Sequence, residues 1–314
     1  MSGPGSDSAL WIWLVPALFA FFSYGLGQGL VKKWVGDVSP AKFCFYFVVA
    51  KAIVNLGYFS LQEHPSLLEP EGQSFLMMGT LAYLFDGLGW VLYFESIVLG
   101  PITIVGTLSA AYPALTVLLA AQFLGESLEI LQYAGVALVI LGCIGLSFDF
   151  SSDRQEVGPP SGAARPRNRR WMILAGAALI VWAVAQTLVK AAYSLPGSSD
   201  ATLAVCSSVG GFLTLGVYAF YRERFALIRS IGSIQQAGRT LLPMGLMASG
   251  DLGVIIANQF GPLSLVTPIT GAYPVVTLLF AAFILRETIH RLHWLMLALV
   301  LVGMALATWI IPSS

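Results

Sequence analysis

Apolar residues run along this chain in long blocks, and polar residues gather in the short gaps between them. Ten blocks can be placed, at residues 10–35, 41–61, 75–99, 102–124, 130–148, 171–194, 201–221, 240–260, 263–285 and 292–311. A helix needs roughly 20 mainly apolar residues to cross the hydrocarbon core of a bilayer. The blocks match that length, so the pattern predicts ten transmembrane helices and an all-α membrane protein. Residues 149–170 interrupt it with Pro, Gly, Ser and Arg, a composition that reads as a solvated linker. The chain therefore divides into a first half, 1–148, a polar linker, 149–170, and a second half, 171–314. The first residues carry no Lys or Arg, so the first block is expected to be a retained helix and not a signal peptide.

The two halves repeat each other. Gly100-Pro101 recurs as Gly261-Pro262, Ala111-Tyr112-Pro113 as Ala272-Tyr273-Pro274, and Glu126 as Glu287, each at an offset of 161 residues. Upstream, Gln28 and Lys32 recur as Gln186 and Lys190 at an offset of 158. Several matches in order mark an internal duplication. Five spans per half is an odd number, so the second half should enter the membrane upside down. Loop charge is an independent test. The gaps after the second and fourth blocks hold Glu63, Glu69, Glu71, Glu126 and Glu129 without a Lys or Arg. Those after the seventh and ninth hold Arg222, Arg224, Arg229, Arg239, Arg286 and Arg291. Repeated loops of opposite charge bias belong on opposite sides. The positive-inside rule then places these arginines, Lys42 and the linker arginines in the cytosol, with Lys190 across the membrane and both termini facing away from the cytosol.

Composition agrees with a lipid solvent. Of 314 residues 57% are hydrophobic and 10% charged, against about 25% charged in soluble domains. A net charge of +0 gives no global attraction to nucleic acid. Cys44, Cys143 and Cys206 lie far apart in apolar blocks and read as packing residues, with no metal or disulfide pattern. There is no GxxxxGK[ST] run, no HExxH and no Asp-rich cluster, so the expectation is no cofactor, no metal and no ATP site.

The stretch from Gly100 through Tyr112-Pro113 to Glu126, and that from Gly261 through Tyr273-Pro274 to Glu287, resemble the EamA repeat of the drug/metabolite transporter superfamily. The resemblance covers nearly the whole chain as two five-helix repeats. It implies two inverted repeats around a central cavity that moves small molecules by alternating access, and so a multi-pass protein of the plasma (cell inner) membrane. Substrates across the family are diverse, including amino acids, sugar derivatives and drugs, and no universal set of functional residues comes with it. The family is usually drawn with cytosolic termini, the reverse of what loop charge indicates here. A secondary transporter working as a monomer, with a small-molecule substrate and membrane lipid as its partners and with optional proton coupling, is the leading expectation. An enzyme acting on a lipid-linked substrate, or a non-transporting sensor or scaffold, are the rivals.

Chemistry inside the blocks ranks the residues. An ionisable group at mid-bilayer costs roughly 2.5–3.5 kcal/mol on insertion scales and so faces a cavity or a partner. Lys51, Asp86 and Asp251 lie near the middle of the second, third and eighth blocks. The two aspartates precede their Gly-Pro pairs by 14 and 10 residues, a difference of about one helical turn, so they should face similar sides of related helices. Lys51 aligns with Gly210, so the cation belongs to one half. Lys51 reads either as an anchor for a substrate carboxylate or phosphate, with an aspartate binding a proton or a substrate amine, or as a neutraliser of Asp86 or Asp251. Pro113 and Pro274 should kink mid-span helices, and the carbonyls they free would need a polar cavity. Tyr112, Tyr273, Thr107, Thr267 and Thr270 are candidates to line it. Gln28, Gln186, Asn55 and Asn258 are candidates to bind a ligand or a neighbouring helix. Lys32 and Lys190 read as snorkelling lysines, Glu95 as a solvated glutamate, and Glu126 and Glu287 as caps for the helix that follows each.

Overall fold

The computed structural model describes residues 5–34, 39–62, 72–99, 111–146, 170–223, 234–286 and 289–309. Gly100, Pro101, Thr107, Glu63, Glu69, Glu71, Arg224, Arg229, Glu287 and the linker up to Arg169 lie outside them. Among the described residues all regular structure is helical. In order these are α1 (Gly5–Trp34), α2 (Pro40–Leu61), α3 (Gln73–Leu99), α4 (Tyr112–Phe123), α5 (Ile130–Leu146), α6 (Arg170–Ala192), α7 (Asp200–Gly211), α8 (Val217–Glu223), α9 (Ile234–Phe260), α10 (Leu263–Gly271), α11 (Pro274–Phe283) and α12 (Arg291–Ala307). One π-helical turn, Phe212–Gly216, joins α7 to α8. Among the described residues seven segments are long and apolar enough to span a membrane, the α7–α8 and α10–α11 pairs each counting as one, and α4, α5 and α12 are shorter apolar helices.

The helices are turned inside out relative to a soluble bundle. Along α1, Trp11, Val15, Phe19, Phe22 and Leu26 stand exposed at helical spacing, while Ala17 and Ala20 are fully buried. In α6, Ile173 and Ile180 face outward and Ala175, Ala178, Ala183 and Ala185 inward. Small residues inside let helices approach closely, which is what drives packing when the solvent is itself apolar.

The helices pair across the halves. α1 packs on α9 and, as its mate under exchange of halves, α6 packs on α3. Likewise α2 on α9 matches α7 on α3, and α1 on α11 matches α6 on α4, while α2 meets α7 and α5 meets α12. The repeat seen in the sequence is thus also a repeat of contacts. Polar residues tie the helix ends into two groups. At one end Ser39 bonds Glu223, Glu95 pairs with Arg222, and Ser96 donates to the Trp171 carbonyl at 3.0 Å. At the other, Tyr58 donates to Asp200 at 2.7 Å and Lys190 to the Gly261 carbonyl at 2.7 Å.

The two Tyr-Pro sites stand at helix starts, and in the second half that start lies midway along one span, so the helix there is broken and not merely kinked. Pro113 and Pro274 stand at the first turn of α4 and α11, where a missing N–H costs nothing. In the second half α10 ends at Gly271 and the chain turns before Pro274. The Thr270 carbonyl, which residue 274 would have met, accepts from the Tyr273 N–H at 3.4 Å, so no cavity is needed to satisfy it. Thr116 and Thr277, again 161 residues apart, each bond back to the preceding Tyr112 or Tyr273 carbonyl, at 3.1 and 3.4 Å. Past these helices Gly125 and Arg286, also equivalent, share a left-handed backbone, φ 68° and 56°. That conformation closes a helix and favours glycine.

Candidate functional site

Lys51, Asp86 and Asp251 meet. Lys51 lies midway along α2 with its side chain only 2% exposed. Its Nζ is 2.9 Å from Asp251 Oδ2 on α9 and 3.9 Å from Asp86 Oδ2 on α3. Phe47, one turn earlier on α2, and Tyr83, one turn before Asp86, set their rings 5.3 and 5.5 Å from the ammonium. Such rings attract a cation through their π faces. Tyr24 of α1 donates its hydroxyl to Asp251 Oδ1 at 2.5 Å. The site therefore draws on four helices and on both halves.

Glycines bring those helices together. A Cβ at Gly210, the counterpart of Lys51, would lie 2.6 Å from the carbonyl carbon of Tyr83. Its absence lets α7 press on α3 beside the triad. A Cβ at Gly250 would lie 2.9 Å from the Tyr24 ring, so glycine there lets Tyr24 lie on α9 and reach the next residue, Asp251. Where one half carries the cation, the other carries the space for a neighbour.

A second layer holds the triad's backbone. Trp182 donates Nε1–H to the Asp86 carbonyl at 3.2 Å, and its ring lies 5.2 Å from Trp90, 5.4 Å from Tyr93 and 6.0 Å from Tyr112. Asn55 donates to Ser208 Oγ at 3.2 Å, and Ser208 donates in turn to the Lys51 carbonyl at 3.3 Å. The π-helical turn follows directly on α7, and such bulges gather at functional sites.

The triad is electrically unequal. One ammonium meets two carboxylates, so with both ionised it carries one net negative charge. The Lys51 side chain is closed off, but the Asp86 and Asp251 side chains, deep within the bundle, keep 15% and 14% of their surface accessible. The arrangement can hold a proton or another cation on the carboxylates without exposing the lysine. Among the described residues no His, Cys, Asp and Glu side chains group as metal ligands.

The other candidates are spread around this centre. Tyr112 and Pro113 of α4 approach Gly271, where a Cβ would meet Pro113 Cγ at 3.2 Å and the Tyr112 hydroxyl at 3.8 Å. The two Tyr-Pro turns thus face each other. Tyr273 lies tilted against Tyr24 at 5.7 Å, and Gln28 approaches its hydroxyl. Gln28 is accordingly linked through two tyrosines to Asp251, whereas Gln186 accepts from Asn258 Nδ2 at 3.4 Å. Gln186, Asn258 and Asn55 serve neighbouring helices. Thr270 bonds its own helix, and Thr267 is buried.

Three expectations need correction. Lys190 does not snorkel: its ammonium donates to the Asn258 and Gly261 carbonyls at 2.8 and 2.7 Å, closing the C-terminal end of α9. Carbonyls left open at a helix end are a natural seat for a cation. Glu95 is not simply solvated, being paired with Arg222 and bonded by Tyr218 at 3.1 Å. Glu126 caps a helix, though not the next one. It accepts from the Leu263 and Ser264 N–H groups at 2.8 Å each and from the Ser264 hydroxyl at 2.6 Å, so it caps α10 in the other half.

Sequence reasoning passed over Tyr24, Phe47, Tyr83, Trp182 and Ser208. Three carry a readable signal. Phe47 precedes Lys51 by four residues, Tyr24 precedes Gln28 by four, and Tyr83 precedes Asp86 by three, spacings that share a helix face. Trp182 and Ser208 act on chain segments too distant for any such rule.

Comparison with other proteins places this arrangement. A crystal structure of another protein superposes with a TM-score of 0.73, covering 96% of both chains at 18% identity, and so shares the fold. MJ1333.1, an uncharacterised protein of Methanocaldococcus jannaschii, is 29% identical over 142 residues, which is 97% of its length and 45% of this chain. Nearly all of that protein thus aligns within less than half of this one, as a duplicated unit would. The pattern of the EamA-like transporter family matches twice, at residues 11–148 and 169–309, one match for each half. With both repeats matched and the bundle all-helical, the chain belongs to the EamA-like transporter family and is an integral, multi-pass membrane protein.

Proposed function

We propose that this chain is a secondary transporter of ten spans, two five-helix repeats of opposite membrane orientation, that carries a small molecule by alternating access at the Lys51–Asp86–Asp251 centre. The observation that carries the reading is the second carboxylate. A buried lysine is neutralised by one aspartate, yet here two converge on it, from different halves, and both keep accessible surface. Unneutralised charge at mid-bilayer is costly, and transporters place such groups at the repeat interface near that depth. The opposite orientation is supported by the two groups of tied helix ends. Glu95, Arg222 and Glu223 gather at one end, and Glu126, Lys190 and Asp200 at the other, as the loop charges require. Alternation would move α1 with α9 against α6 with α3, since those pairs are mates under exchange of halves.

Flux tests this. Purified protein in liposomes, loaded with members of a panel of amino acids, sugars and cationic drugs, should show saturable counterflow for at least one class. Absence of saturable exchange across the panel, from protein that is folded and oriented in the liposomes, would sink the transport reading and return an embedded enzyme or a scaffold to the front.

A further inference from the structure

The charge arrangement narrows the cargo. We propose that the central site takes an organic cation, its ammonium group seated against Asp86 and Asp251 and its apolar body against the surrounding aromatic rings. The inference rests on the transport reading for the location of the site, but its chemistry comes from the triad alone.

Lys51 is not available to an anion. Its ammonium is in contact with Asp251 at 2.9 Å, lies between the Phe47 and Tyr83 rings, and has a side chain 2% exposed. A substrate carboxylate would have to displace Asp251 and would then face two carboxylates across one lysine. Like charges this close repel, so the anion is excluded by the same groups that hold the lysine.

The carboxylates are in the opposite position. Asp86 has one ion pair, at 3.9 Å, and among the described residues nothing donates a hydrogen bond to its carboxylate. A carboxylate has about four lone-pair sites to fill. It also retains 15% of its side-chain surface, so what fills them can come from outside the protein. A second cation is what a charge imbalance of one lysine to two aspartates accommodates.

The surroundings suit an amine with a flat or apolar body. Tyr83 already lies over one ammonium, Tyr24 and Tyr273 lie 5.7 Å apart beside Asp251, and Trp182 braces Asp86 and reaches Tyr112 at 6.0 Å. Aromatic walls around a carboxylate are the usual recognition chemistry for organic ammonium groups. A sugar would instead need several hydroxyl partners. Of the polar side chains nearby, Ser208 is engaged with Asn55 and the Lys51 carbonyl, and the buried, unpartnered Asn55 Oδ1 is one acceptor where a sugar needs several partners.

Matched probes separate the classes. 2-Phenylethylamine, its trimethylammonium analogue, phenylacetate and 2-phenylethanol share a ring and differ in charge. Binding to detergent-solubilised full-length protein, followed by tryptophan fluorescence, should saturate for the two cations and not for the other two. Asp86→Asn should weaken cation binding about tenfold or more, the loss of one charge-assisted contact. Lys51→Met should tighten cation binding and make cations stabilise the protein against heat, because it frees both carboxylates. Saturation by phenylacetate that Lys51→Met abolishes would overturn the proposal, as would failure of both cations to bind folded wild-type protein. Cation binding without counterflow in liposomes would leave this inference standing and sink the transport reading instead.

Discussion

Replacing Lys51 with methionine keeps the length of the side chain and removes the charge, and it isolates what the triad does for stability. With an effective dielectric constant near 20, an ion pair at the observed 2.9 Å gains about 6 kcal/mol and one at 3.9 Å about 4 kcal/mol. Burying the three groups costs a comparable amount, so the net value of the assembled triad is small. Removing one partner is different, because the desolvation of the others is then uncompensated, and such losses run to about 3–5 kcal/mol. Lys51→Met should therefore destabilise by about that much in the absence of ligand. Adding Asp251→Asn should recover a large part of the loss, since it removes the orphaned charge nearest the lysine. Asp86→Asn should recover at least as much, because Asp251 keeps its hydrogen bond from Tyr24 whereas the Asp86 carboxylate loses its ion pair with no donor among the described residues to replace it. The assay is a double-mutant cycle on midpoints of thermal or denaturant unfolding in one detergent, followed by size-exclusion of the folded fraction. If Lys51→Met unfolds with the wild type and each added aspartate substitution lowers stability further, the three charges do not act as one unit and the site is wrongly placed.

Four further outcomes follow from the same structure. If a carboxylate couples transport to protons, Asp86→Asn or Asp251→Asn should abolish accumulation driven by a pH gradient while leaving counterflow at saturating substrate, and wild-type pH dependence in both would remove the aspartates from coupling. Glu126→Gln weakens a cap of three hydrogen bonds on α10 and should cost about 1–3 kcal/mol, read from the unfolding midpoint, with no change if the cap is incidental. Arg286→Gly relieves a left-handed residue that Gly125 already occupies in the first half and should stabilise by about 1 kcal/mol, measured the same way. Single cysteines at Ser6 and Arg167, probed with an impermeant maleimide in cells, should label from opposite sides against a background of three buried native cysteines, and labelling from one side would refute the span count.

Much of this protein is legible in one dimension. Apolar block length is set by bilayer thickness, so the membrane class is read directly from the chain. The offset of 161 residues survives in Tyr112-Pro113 and Tyr273-Pro274, and it turns out to mark Thr116 with Thr277 and Gly125 with Arg286 as well. Lys51, Asp86 and Asp251 stood out because charge at mid-span has to be accounted for, whatever the fold. What the chain could not say was who meets whom. Both α1 and α6 pack on the third span of the opposite half, and no periodicity within a helix encodes its partner. Lys51 was open to two readings until α9 brought Asp251 to 2.9 Å and α3 brought Asp86 to 3.9 Å. Glu126 looked like a cap for its neighbour and caps α10, 137 residues away. The physical reason is common to all three. Hydrophobic periodicity is a local property, since each residue meets lipid or core by its own place on the helix. Pairing of polar groups inside a membrane depends on close approach between helices, which small residues such as Gly210 and Gly250 permit and only the folded bundle completes.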